Sequence, residues 1–263
     1  KKLSDFIGLS NVVLFNPDDI QFFVQAPRKR RKEIDYELGK SSKTYLQNLL
    51  HVNQYLQNRN AYLKQHQQDP IYLDTLDQQI ADLSELIIIK RLEFTKYMSS
   101  KTNKYYQQFT DSHDLITLTY ECCVDLEKDN YNHALLNKMK DNRQRDLDLK
   151  MTNVGIHRDD FIFKINDDHV VDVMSQGQRR MMMIAYKLAI IDWFMELNQK
   201  KPIFCMDDLF SELDEEKRNL VLKHLHKDLQ IFITTTDLDF IQTNKDKKIF
   251  EIEKGKVRRS LNG

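Results

Sequence analysis

The chain has 263 residues, 40 basic and 40 acidic side chains, and 41% hydrophobic residues, ample for a real core. Its six glycines, where average usage of about 7% would give roughly eighteen, lie too far apart for a phosphate loop of the GxxxxGK(S/T) or GxGxxG kind. With zero net charge, a nucleic-acid partner would have to be met by a local basic cluster and not by a global field.

Cys122, Cys123 and Cys205 form no CxxC pair and are too few for a disulfide framework, which fits a reducing, cytoplasmic setting. No apolar run reaches the roughly 18 residues of a membrane helix, and no signal-peptide pattern opens the chain. Residues 1–26 hold a short β-rich run, Val12 to Phe15, and then Asn16-Pro17-Asp18-Asp19, a turn or helix start; they read as the remnant of a larger unit. Pro27-Arg28-Lys29-Arg30-Arg31-Lys32 is the densest positive patch. Arg28, Arg30 and Arg31 are candidates for phosphate contacts, weighed against a solvated, ion-paired helix start.

From there to about residue 109 the chain is polar and nearly glycine-free, as in long helices. Apolar residues step by three and four through Tyr45, Leu49, Val52, Leu56 and Leu63, interrupted by Arg59. They do so again through Leu73, Leu76, Ile80, Leu83, Ile87, Phe94 and Tyr97, interrupted by Lys90. Asp69-Pro70 separates the two sets, which predicts an antiparallel helical hairpin, an arm within residues 27–147. Leu115 to Tyr120 alternates as a strand, and 131–147 returns to a helical pattern.

Residues 148–263 alternate strands and helices. Phe161 to Ile165 and His169 to Val173 read as a β-hairpin, followed by a long apolar helix to about Leu197. Ile203 to Met206 reads as a short buried strand, Glu215 to Lys227 as a helix, Ile231 to Thr234 as another buried strand, and Lys248 to Glu253 with Gly255 as a closing hairpin. This is an α/β pattern with a parallel core.

Ile203 to Met206 delivers Asp207 and Asp208 at its carboxyl end, the edge where open α/β sheets bind ligands and where a strand-end aspartate can hold Mg²⁺. The plain alternative is that both acids merely end a strand. Upstream, Ser175-Gln176-Gly177-Gln178 stands at the mouth of a helix, where backbone N–H groups and the serine hydroxyl face an approaching anion, or where the serine simply caps the helix. Ser211 or Asp214 can cap the next helix. His157-Arg158-Asp159 is not a kinase loop, because the asparagine required five residues on is Lys164. The eight histidines show no grouping of zinc type.

In this order and spacing, the pieces resemble the carboxyl-terminal half of an ATP-binding-cassette head with an inserted helical arm. Ser175–Gln178 matches the signature motif, Ile203–Asp208 the Walker B strand and Ser211–Asp214 the D-loop. Gly155 to Asp160, Lys187-Leu188-Ala189, Asp207 to Asp214, Thr234 to Asp237, Asn11 to Asp19 and Pro27 to Asp35 are similar to the bacterial RecF recombination-repair family, whose heads resemble those of SMC proteins. Departures are Ile156 for proline, Arg179 for glutamine, Met181-Met182-Met183 for small residues, and Thr236 or Asp237 where many cassettes place a switch histidine.

The resemblance implies a homodimer that sandwiches ATP and clamps DNA at junctions of single and double strands, helping with a RecR-like partner to load recombinase, with hydrolysis timing release. Asp207 would hold Mg²⁺ and Asp208 would orient water. Ser175, Gln176, Gly177 and Gln178 would reach the terminal phosphate bound by the other protomer, and Ser211 and Asp214 would line the seam. In this family the Walker A loop lies upstream of Lys1, so the chain by itself is expected neither to bind ATP tightly nor to hydrolyse it. Alternatives are a non-enzymatic helical interaction module on a degenerate cassette, or another SMC-like or OLD-like repair ATPase.

Overall fold

The computed structural model describes residues 11–65, 69–125, 130–197, 199–210, 213–237 and 247–262. The chain opens on strand β1 (Val12–Phe15), whose alternation buries Val13 and Phe15. Asn16 then caps a 3-10 helix (Pro17–Phe23) through a reciprocal capping box with Asp19. Helix α1 (Pro27–Ser41) follows, started by its proline.

Helices α2 (Lys43–Tyr62) and α3 (Pro70–Thr110) are the expected hairpin. Ser42 caps the first through the Tyr45 N–H, and Asp69 caps the second through the Ile71 N–H. Asn48 reaches the Leu83 carbonyl and Arg59 reaches Asp77, so the pairing runs antiparallel. The residue that breaks the apolar stripe is spent inside it: Arg59 is fully buried, its Nε 2.6 Å from Asp77 Oδ1 and its Nη1 2.8 Å from Asp146 Oδ2 and 2.9 Å from Thr152 Oγ1.

Strand β2 (Ile116–Glu121) pairs antiparallel with β3 (Asp160–Ile165). Between them lie α4 (Tyr131–Asp141) and α5 (Arg143–Leu149), a helical stretch divided at Asn142. The packing does not break near residue 147, where arm was expected to give way to head. That boundary falls between two strands of one sheet, and α3 packs along the later helix Gln176–Asp192 as well as on α2. The expected 161–173 hairpin is shorter than its alternation suggested: β4 (Asp168–His169) pairs only with Lys164 and Ile165, and Val170–Val173 turns into α6. Asn166 and Asp167, both at positive φ, make the turn.

Helix α7 (Gln176–Asp192) is buried on almost every side from Met181 onward and continues into a π-helical turn, Trp193–Leu197. Met181, Met182 and Met183 are all within the core, where an unbranched thioether fits irregular gaps. Trp193 meets Phe94 and Tyr97 of α3 edge-on at ring-centroid distances of 5.2 and 5.1 Å, and Phe22, Phe163 and Tyr186 stack the 3-10 helix, β3 and α7 together.

The parallel sheet has the order β1-β5-β6, with β5 (Ile203–Asp207) central and β6 (Ile231–Thr234) on its other side. Val13, Phe15, Phe204, Met206, Ile231 and Ile233 share its inner face. β6 is half-exposed, not buried as expected, because Val12, Leu14 and Phe232 on the opposite face stand in the open among the described residues. Helix α8 (Glu215–His224) lies between β5 and β6, and β7 (Lys248–Glu253) and β8 (Lys256–Asn262) close a terminal hairpin through Lys254-Gly255, both at positive φ. No helix among the described residues is long and apolar enough to cross a membrane.

Candidate functional site

The two carboxylates stand at the carboxyl edge of the parallel sheet. The apolar run Ile203 to Met206 makes β5 the middle strand, and register places Asp207 beside Thr234 of β6. Thr234 organises the pair. Its hydroxyl donates to Asp207 Oδ1 at 2.6 Å and accepts the Asp208 N–H at 3.0 Å. Asp208 sits at φ 44°, a left-handed conformation that aspartate tolerates better than most residues, and this turns the chain away from the strand direction immediately after Asp207. Asp207 is exposed and Asp208 half-buried, so one acid faces outward, oriented by a hydroxyl, with the second beside it. An oxygen-rich, solvent-reaching carboxylate fixed by a neighbouring hydroxyl suits a hard divalent cation that keeps most of its water.

Thr234, which joins the two acids through its hydroxyl, was not among the candidate residues read from the sequence. Thr236 and Asp237 were the switch candidates, yet the turn after β6 closes locally, with the Thr235 hydroxyl bonded to the Asp237 backbone. The alignment of β6 one strand from β5 carried the missing signal, since Thr234 is the residue opposite Asp207.

Ser175 is the N-cap of α7. Its Oγ accepts the Gln178 N–H at 3.3 Å, and its own N–H donates to Gln178 Oε1 at 2.9 Å. The capping role foreseen for the serine and the exposed helix mouth therefore coexist. Ser175, Gln176, Gly177 and Gln178 are all exposed, and a Cβ added at Gly177 would meet nothing within 4 Å. Packing within the chain gives no reason for glycine there. The body of this helix is anchored firmly, with Lys187 paired to Asp19 at 2.8 Å.

Asp214 caps α8, accepting the Lys217 N–H at 2.9 Å; the Lys217 ammonium bonded to it holds its carboxyl below the usual range. Its partner in the expected seam, Ser211, lies outside the described residues.

The basic patch divides. Arg30 forms a fork on Asp160, with Nε 2.9 Å from Oδ1 and Nη2 on Oδ2, and also bonds the Gln25 carbonyl. Arg31 bonds the Asp159 carbonyl. Both guanidiniums help fasten α1 to the start of β3, which is the ion-paired helix start weighed against phosphate contacts for Arg30 and Arg31. Arg28 remains exposed, as do Lys29 and Lys32. His157 and Arg158 both reach the Thr152 carbonyl, at 3.1 and 3.2 Å, and brace the loop before β3.

No family model matches the chain. A curated relative, the DNA replication and repair protein RecF of Streptococcus suis, is 40% identical over 262 residues, covering 98% of this chain and 72% of that protein. The chain belongs to the RecF family. The RecF of Enterococcus faecalis is 36% identical over 274 residues, covering 99% of the chain and 72% of its own length. Among solved structures, the recombination mediator protein RecF with ATP, from the RecFOR pathway, matches with a TM-score of 0.88 at 27% identity over 99% of this chain and 70% of that one. RecF with an ATP analogue matches with a TM-score of 0.86 at 26% identity. The α/β architecture with a parallel sheet and an antiparallel helical arm is thus the RecF fold.

Proposed function

We propose that the chain serves DNA replication and repair as part of a RecF-type, ATP-dependent dimerising clamp. The observation that carries this is the Asp207–Asp208 pair, fixed by Thr234 at the carboxyl edge of a parallel sheet. The exposed, capped mouth of α7 supports it, because the serine hydroxyl and successive backbone N–H groups there suit a phosphate. Similarity to RecF structures described as holding ATP adds weight.

In this reading Asp207 holds Mg²⁺ and Asp208 orients the attacking water. Ser175, Gln176, Gly177 and Gln178 grip the terminal phosphate of a nucleotide held by the other protomer, with Gly177 open to close backbone approach. Ser211 and Asp214 line the seam. When bound, ATP supplies a phosphoanhydride whose cleavage releases the interface. Arg28, with Lys29 and Lys32, faces DNA phosphates, and the RecFOR context points to a RecR-like partner and a role in recombinase loading at junctions of single and double strands.

Ser175→Arg in the full-length protein tests the reading. Nucleotide binding is expected to persist while ATP-dependent dimerisation, followed by analytical ultracentrifugation, is lost. Normal dimerisation of that variant would count against it.

A further inference from the structure

One cluster of reactive side chains has no part in the function proposed above. β2 ends at Glu121, opposite Asp160 at the start of β3. One step further, Cys122 and Cys123 meet Asp159. Both Sγ atoms and a carboxylate oxygen of Asp159 lie within 4.8 Å of one another. Cys122 Sγ is 3.7 Å from Oδ2, and the Cys123 N–H donates to Oδ1 at 2.9 Å. The two thiols are free and half-buried, whereas Asp159 is buried.

We infer that Cys122, Cys123 and Asp159 form a site for Zn²⁺ or a similarly thiophilic divalent cation. The ligand set is the first argument, since two thiolates and a carboxylate, with water in a fourth position, are a zinc donor set. Zn–S bonds of about 2.3 Å in a tetrahedron place two sulfurs about 3.8 Å apart, so the three atoms need close by no more than about an ångström.

The second argument is lone-pair accounting on Asp159. A carboxylate offers about four acceptor sites. Oδ2 takes the Tyr120 hydroxyl, Arg91 Nη1 and the Cys122 thiol, whereas among the described residues Oδ1 takes the Cys123 N–H. Oδ1 therefore keeps acceptor capacity for a cation, and a cation that displaces the Cys122 proton frees a site on Oδ2 as well.

Charge is the third. Two thiolates, one carboxylate and a divalent cation sum to a single negative charge. That charge and the Asp35 carboxylate are together offset by two guanidiniums, the fully buried Arg91, 3.3 Å from Asp159 and 2.9 Å from Asp35, and Arg31, which bonds the Asp159 carbonyl. Loading is balanced: the cation displaces one proton from each thiol, and no oxidant or reductant is involved.

Closure of the pair into a disulfide is disfavoured by geometry. Adjacent Cα atoms are 3.8 Å apart across a trans peptide, below the 4.4–6.8 Å usual for a bridge. A bound ion would tie the end of β2 to the start of β3 beside Arg91, which also holds Asp35 of α1.

The test is titration of the reduced, metal-free full chain with Cd²⁺, read by the near-ultraviolet thiolate-to-cadmium charge-transfer band. The band is expected to saturate at one ion per chain, to release two protons per ion, and to be displaced by Zn²⁺. Cys122→Ser and Cys123→Ser should each abolish it, while Cys205→Ser should leave it intact; Asp159 is kept because it anchors Arg91. A band that survives the double Cys122→Ser, Cys123→Ser variant overturns the site, as does absence of the band in a large excess of cadmium. A pair that oxidises to a disulfide in air and takes no metal after full reduction also overturns it.

Discussion

Replacing Asp146 by alanine should be among the most destabilising single changes in this chain. Its carboxylate has no solvent exposure and accepts from Arg59 Nη1 at 2.8 Å and from both the backbone and side-chain nitrogens of Asn153 at 2.9 Å. The cluster is charge-matched: Arg59 and Arg143 face Asp77 and Asp146, with Asp74 on the exposed side. Deleting Asp146 leaves a buried guanidinium sharing Asp77 with Arg143, and strips the Asn153 N–H of its partner. Breaking a buried pair in this way costs about 3–5 kcal/mol. At about 2–4 °C per kcal/mol for a domain near this size, the melting temperature should fall by roughly 6–20 °C, followed by circular dichroism at 222 nm. Asp74→Ala removes an exposed partner of Arg143 and should cost less than about 1 kcal/mol. Arg59→Met combined with Asp146→Leu should cost less than the sum of the single changes, since neither charge is then left alone. An Asp146→Ala variant within about 1 kcal/mol of the parent, or no worse than Asp74→Ala, would refute the reasoning.

Thr234→Val preserves shape but removes the hydroxyl that joins Asp207 to the Asp208 N–H; in the full-length protein it should lower ATP turnover about 10–100-fold, with folding unchanged by circular dichroism. Changing Arg28, Lys29 and Lys32 together to glutamate should weaken duplex DNA binding and flatten the slope of log affinity against log salt by up to about 2.7. Arg30→Glu should instead lower the melting temperature, because that side chain is forked on Asp160. Burial, foremost, holds the His157 imidazole below its ordinary value, so the folded chain binds that proton less readily than the unfolded chain does and takes it up on unfolding as pH falls through the ordinary histidine range. Stability should therefore fall as pH drops from 7 to 5, and more shallowly in His157→Gln; equal slopes in denaturant titrations would contradict this.

The helical hairpin was legible because its stripes of apolar residues obey the helix period and Asp69-Pro70 marks the turn. The β5 strand was legible because a short apolar run that ends in two acids marks a buried strand and its carboxyl end. What escaped was long-range. Arg59 reads as a flaw in a stripe until Asp146, 87 residues away, is seen to receive it. Arg30 and Arg31 look solvated until β3 is brought against α1. The shared face of Cys122, Cys123 and Asp159 exists only through the pairing of β2 with β3. Period and composition report local conformation, whereas which charges meet is decided by tertiary contacts.

The central claim is that Ser175 of one protomer and Asp208 of the other complete a single catalytic site. The most direct measurement is ATP turnover in an equal mixture of full-length Ser175→Arg and Asp208→Asn proteins, each inactive alone. A mixed dimer keeps one of its two sites, and that half of the seam, whole, whereas neither variant alone can build a whole site. Turnover should therefore return in the mixture, to about a quarter of the parent rate at most, the value for half of all dimers being mixed. A mixture no more active than its separate components would contradict the account.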